Sequence, residues 1–242
     1  MIEALEGIII NEKDYGETSK ILTIITKKYG SISVISKGCK TNKSPLRSVS
    51  SKLIHGIFHL VYKENKLSTL QNVDVISRYK NICLDLTKIS YASLLLELTL
   101  QVIKQHDDPN IYDILINSLN KIEDGFDSMI ITDIASLKYL EPLGVMPILD
   151  CCSKCGTTKG IATLSSDAGG YLCNKCRINE PIVSEKAIKL IRMLYYVDIA
   201  KISKLDISDV VKLEIHNFID RYYDRYTGIY FKTKKLLKEV SE

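Results

Sequence analysis

The sequence predicts an α+β protein: a five-stranded β-barrel, then a helical part with a four-cysteine module set into it. Three observations predict this. Apolar residues follow a period of two up to about residue 80, and a helical period after Asn81. Two Cys-x-x-Cys pairs, 17 residues apart, interrupt the helical part. Positive charge collects at the N-terminal end: residues 1–80 hold 13 Lys+Arg against 7 Asp+Glu, whereas 81–242 hold 20 against 22.

The 242 residues suffice for two cored domains, and the change of period sets the expected boundary. Residues 1–80 form the barrel domain. Residues 81–242 form the helical domain, with the cysteine module at about 150–178. At 45% hydrophobic and 26% charged, the composition is that of an ordinary globular protein and excludes long disorder.

Along the barrel part, Gly7-Ile8-Ile9-Ile10 is an apolar run, followed by a turn-like Lys13-Asp14-Tyr15-Gly16. Ile21 to Thr26 is short and β-branched. Lys28 to Ser31 makes a turn, and Ser31 to Ser36 alternates polar and apolar as a half-buried strand does. Lys37 to Lys52 is a polar, basic loop with Pro45 in it. Leu53 to Lys63 and Leu67 to Tyr79 supply two more strands. Five short antiparallel strands in this length fit an oligonucleotide-binding (OB) type barrel.

Helices are expected over Leu86 to Gln105, apolar nearly all round and therefore central, and over Ile111 to Ile122 and Ile130 to Leu140. After the cysteines, Ser184 caps a helix from Glu185 to Val197, and Ser208 caps one reaching Arg225. The tail after Gly228 is a candidate last helix. The longest apolar stretch, Tyr91 to Ile103, is broken by Glu97 and Gln101 and is too short to span a bilayer, so no membrane association is expected. The acidic start, Glu3 and Glu6, is unlike an export signal. Seven cysteines without such a signal point to a reducing, cytoplasmic setting.

The cysteine pairs are Cys152 with Cys155 and Cys173 with Cys176. A two-residue spacer lets a tight turn aim both sulfurs at one ion, and two such pairs supply the four thiolates of a tetrahedral zinc site. Four protein ligands leave no position for water or substrate, which makes the ion structural. Cys151 is an alternative to Cys152, at the cost of unequal spacing. Lys154, Lys159, Lys175 and Arg177 lie nearby to offset the thiolate charge. Cys39 and Cys83 read as small hydrophobes or spare thiols.

No phosphate-binding glycine loop, zinc-protease, deaminase or serine-hydrolase signature occurs, so the chain is read as no enzyme. His55 and His59 share one face of a strand and read as packing or surface residues.

Tyr15-Gly16-Glu17-Thr18-Ser19-Lys20-Ile21, continuing through Tyr29-Gly30 to Ser36-Lys37-Gly38, resembles the N-terminal barrel of the bacterial recombination mediator RecO family. Leu164 to Cys173, read after Cys152-x-x-Cys155-Gly156, resembles that family's cysteine segment, and the order of parts matches over essentially the whole chain. The resemblance implies binding of single- and double-stranded DNA without sequence preference, and annealing of complementary strands. It also implies, with the partner RecR, loading of RecA onto strands coated by single-strand-binding protein (SSB). The setting it implies is the bacterial cytoplasm, at the nucleoid.

The residues agree with that reading. The candidate phosphate contacts are Lys20, Lys37, Lys40, Lys43, Arg47 and Lys52, with the Lys37 to Lys52 loop ranked first. Tyr15, Tyr29 and Tyr62 are candidates for stacking on bases or for packing at the barrel rim. A rival reading is a zinc-containing helical scaffold that binds another protein, its barrel only incidentally basic.

Overall fold

The structure, a computed structural model, describes residues 2–106, 108–231 and 233. The candidate last helix after Gly228 lies largely outside them. Five strands come first: β1 (Ile2–Tyr15), β2 (Ser19–Thr26), β3 (Gly30–Ser36), β4 (His55–Val61) and β5 (Ser68–Ser77). They close into a barrel of order β1-β2-β3-β5-β4, as in an OB-type barrel. Leu5, Ile9, Leu22, Ile24, Val34, Phe58, Leu60, Leu70 and Val73 fill its interior.

Two sequence expectations need correction here. The stretch Lys13 to Tyr15 continues β1 and is no turn, because β1 pairs with β4 through residues 2–8 and with β2 through 7–15. One strand serving two neighbours must be long and bent, and its pairing with β2 slips between Ile9 and Asn11. The strands are also not all antiparallel. β3 closes on β5 in parallel through two residue pairs, Val34 with Ser68 and Ile35 with Thr69.

The helices are α1 (Lys80–Cys83), α2 (Leu86–Ile103), α3 (Asn110–Glu123), α4 (Ser128–Tyr139), α5 (Glu185–Tyr196) and α6 (Asp209–Tyr226). Between α4 and α5 lies a hairpin of β6 (Ile161–Ser165) and β7 (Gly170–Cys173) that the sequence pattern does not announce. Both strands are buried on both faces, so no alternation marks them. The central helix is α4, with ten of its twelve residues buried, and not α2, which buries eight of eighteen. Helix α2 is long and apolar enough, by length and composition, to cross a membrane. Its Leu94, Leu95, Leu96, Leu98 and Val102 are instead packed in the helical core.

Local capping agrees with the sequence at Ser184, whose side chain accepts from the Ala187 N–H. Ser208 occupies the N-cap of α6 without a side-chain bond. Asp85 and Asp127 cap α2 and α4, two caps beyond those expected.

The barrel and the helices share apolar packing. Ile8, Ile10, Ile25 and Leu53 turn away from the barrel interior into the helical core. At this seam His55 of β4 is 5% exposed. Its ring lies parallel to Tyr79, 6.3 Å between centroids, and its Nε2 is 3.2 Å from the Tyr112 hydroxyl and 3.4 Å from Glu6. Lys27 donates to both carboxylate oxygens of Asp113 on α3. His59, four residues along β4, meets the barrel's own Asp74, at 2.7 Å.

Candidate nucleic-acid interface and metal centre

The loop from Lys37 to Lys52 is less free than its polarity suggests. Gly38 takes φ +65, a short 3-10 turn spans Arg47–Val49, and Cys39, Leu46 and Val49 drop into the barrel core. The loop thus plugs one end of the barrel. Its polar frame is the 2.7 Å bond between the Ser36 and Ser50 hydroxyls, the Lys40 N–H on the Thr18 carbonyl, and Arg78 donating to the Ser48 carbonyl. Cys39 is a core residue, whereas Cys83 is exposed.

Burying the apolar residues leaves the basic ones outside. Lys37, Lys43 and Arg47 are exposed, with Arg47 bonded to the Asn42 side chain. Lys40 pairs with Asp14 at 2.8 Å, and this ammonium holds the Asp14 carboxyl below the usual carboxylate range. The remaining two candidates sit apart from that group. Lys20 lies on β2, half-buried, between Glu12 at 3.2 Å and the Ser50 carbonyl. Lys52 reaches Ser93 on α2, and burial there pushes its ammonium pKa down against the pull of Glu97 and Glu12. Arg78 stands beside the loop. Its distance in sequence kept it from the candidate group, and only its basic charge marked it.

The candidate stacking residues also divide. Tyr15 is exposed at the end of β1. Tyr29 and Tyr62 stack on each other, 4.4 Å between centroids and 7° from parallel, at the opposite end of the barrel from the basic loop.

The candidate metal centre is built around the β6–β7 hairpin, from a turn before β6 and a turn at the end of β7. Cys173 ends β7, and Cys176 turns back on it through its N–H to the Cys173 carbonyl. The other turn closes with the Gly156 N–H on the Cys152 carbonyl, Gly156 taking φ +71. A bond from the Ser153 N–H to the Tyr171 carbonyl clamps the first turn to β7. The sulfurs of Cys152, Cys155, Cys173 and Cys176 all lie within 4.8 Å of one another, with Cys155 and Cys173 3.7 Å apart. A tetrahedron of thiolates at roughly 2.3 Å from zinc sets neighbouring sulfurs about 3.8 Å apart. The cage therefore has metal dimensions, and it contains Cys152 and not Cys151.

The thiols of the cage are unequal. Burial opposes the Cys152 thiolate, but N–H groups of Cys173, Cys155 and Lys154 aimed at its sulfur bring it down to about 6. Hydrogen bonding to Cys155, with burial, pushes Cys176 up to about 12. A cation at the centre favours the thiolate form of all four. The module is anchored to the helices by Tyr171, whose hydroxyl donates to the Ile188 carbonyl, and by ion pairs from Arg192 to Asp150 and from Arg225 to Asp167.

Known proteins resemble this chain over essentially its whole length. A family model for the N terminal of recombination protein O matches residues 1–79, and one for its C terminal matches residues 83–235. A DNA repair protein RecO of Bacillus cytotoxicus is 34% identical over 100% of this chain and 99% of its own. That of Bacillus pumilus is 33% identical over 99% of this chain and 95% of its own. That of Bacillus subtilis is 31% identical over 99% and 95%.

Proposed function

We propose, since the chain belongs to the RecO family of DNA repair proteins, that it is a non-enzymatic recombination mediator. In this reading it binds single- and double-stranded DNA, anneals complementary strands and, with RecR, helps load RecA onto SSB-coated single strands. It works in the bacterial cytoplasm, at the nucleoid. Residues 1–80 are the DNA-binding domain, and 81–242 are the helical domain that carries the metal module.

The observation that carries the proposal is the basic loop plugging the end of the barrel, with Lys37, Lys43 and Arg47 exposed on it. Such a surface neutralises phosphates without reading bases, which suits a protein that must act on any sequence. Within the candidate group, Lys37, Lys43 and Arg47 are the primary contacts. Lys40 contributes when DNA displaces Asp14, while Lys20 and Lys52 set the field near the barrel wall. The thiolate cage holds one Zn²⁺ as a structural ion: four sulfur donors suit zinc, and the cage leaves no open coordination position.

A salt titration of binding to a labelled single strand tests the proposal. Replacing Lys37, Lys43 and Arg47 together by Ala is expected to flatten the log–log salt slope by about 2, at roughly 0.7 for each phosphate that is no longer neutralised. An unchanged slope would remove the loop from the interface. Failure of the wild type to bind at low salt would favour the helical scaffold that acts only through other proteins.

A further inference from the structure

The barrel closes unevenly. Only Val34 and Ile35 of β3 pair with β5, so Gly30 to Ser33 pair with β2 alone and present their other edge to no strand among the described residues. At this open edge lies a cleft of about 320 Å³, lined by Tyr29, Ser31, Ser33, Tyr62, Lys63 and Lys66 among others. One wall is the stacked pair Tyr29–Tyr62. The second ring face of Tyr29 is covered by Lys28, whose ammonium is 4.5 Å from the ring centroid, and the Tyr29 hydroxyl is held by Glu3. The rings are therefore fixed in advance, and fixed rings lose little entropy on binding a partner.

The polar side of the cleft fits the same partner. Lys63 and Lys66 come from the β4–β5 turn, and their charge exceeds that of the single neighbouring acid on it, Glu64. Ser31 and Ser33 offer hydroxyls and small bulk along β3. The cleft and the basic loop lie at opposite ends of β3, whose seven residues span roughly 20 Å. One OB barrel typically occupies four or more nucleotides.

We propose that this cleft is a single-strand-selective subsite, in which an unpaired base stacks on the Tyr29–Tyr62 wall and its phosphate meets Lys63 and Lys66. This rests on the DNA-binding reading above and deepens it. The basic loop takes phosphates from either form of DNA, whereas the cleft accepts only a base free of its complement. A strand lying along the small polar face of β3, through Ser33 and Ser31, links the two.

The test compares an oligothymidylate with an abasic oligonucleotide of equal length and charge at one salt concentration. Wild type is expected to prefer the base-bearing strand by about 5- to 100-fold, the range of one base–aromatic stack. Tyr62→Ala should remove most of that preference while leaving abasic binding within about twofold. Because Tyr62 packs against the barrel core, its thermal melt is recorded alongside. A second variant, Lys63→Ala with Lys66→Ala on the turn, should weaken the binding of both oligonucleotides and, when the salt is then varied, flatten the salt slope. Wild type that binds both oligonucleotides equally would overturn this inference alone and leave the cleft to an extended peptide pairing with the open edge of β3. Wild type that binds neither would overturn the DNA-binding reading with it.

Discussion

The four sulfurs of the cysteine cage lie within 4.8 Å of one another, so the removal of one ligand is felt by the other three. Cys173→Ser is expected to drop bound metal from one ion per chain to well below one. Because binding free energy at a structural site is folding free energy, the loss of stability should be on the order of 3 kcal/mol, or about 6–12 °C in Tm. Cys151→Ser should change neither, since Cys151 lies outside the cage; metal analysis and melting on the two variants decide it. A second residue-scale prediction concerns His55. Burial lowers its pKa, and the neighbouring Glu6 opposes this only in part. The unfolded chain, with a histidine pKa near about 6.5, therefore binds the proton more readily than the folded one. This residue's contribution to stability is complete above that pH and declines as the pH falls toward the folded pKa. Urea melts between about pH 5 and 8 should show a flatter profile for His55→Gln than for wild type. Parallel profiles would mean that His55 does not couple the seam to pH.

At the scale of the element, β1 organises the barrel. Gly7 is a residue that faces both neighbours, pairing with Thr26 of β2 and with Gly56 of β4. A Cβ on Gly7 would lie 2.7 Å from the Ile25 carbonyl oxygen, and one on Gly56 would lie 2.5 Å from that of Asp74. Both obstacles are backbone, which cannot rotate aside. Gly7→Ala and Gly56→Ala are each expected to cost about 1–3 kcal/mol, in the range of overpacking in a tight core. Their effects should not add, because the two sites face each other. Denaturant melts of the two single variants and the double variant check this, and wild-type stability in either single variant would show that the strands can separate at that point. This pairing explains what was legible in β1 and what was not. The run Ile8 to Ile10 announced a strand. Nothing local announced that the strand continues to Tyr15, since that half is held by register with β2 and its own residues are exposed.

For the whole molecule, the seam between barrel and helices decides how independent the two parts are. Ile8, Ile10, Ile25 and Leu53 belong to the helical core, and Tyr79 is 1% exposed between the two parts. A fragment of residues 1–79 would present all five to water, an apolar patch of the kind that drives association. It is expected to be aggregation-prone or unfolded, and the full chain to unfold in one transition through this seam. A monomeric 1–79 fragment with a cooperative melt would refute the coupling. For the proposed mediator role, such a seam holds a basic barrel face rigidly against the helical part, so the two cannot swing freely about a linker.

The sequence by itself determined the class of fold, the place where strands give way to helices, five of the helices and the four-thiol set, because each rests on local signals: period, caps, and ligand spacing along a turn. It also carried enough of two segments for the RecO resemblance. The tertiary structure alone decided that α4 and not α2 is central, and that β3 meets β5 in parallel. It also showed that the six basic candidates are not equivalent in space, and that Tyr29 and Tyr62 form one wall. These are contacts between residues distant in the chain, and they follow from barrel closure and core packing, which no window of sequence contains.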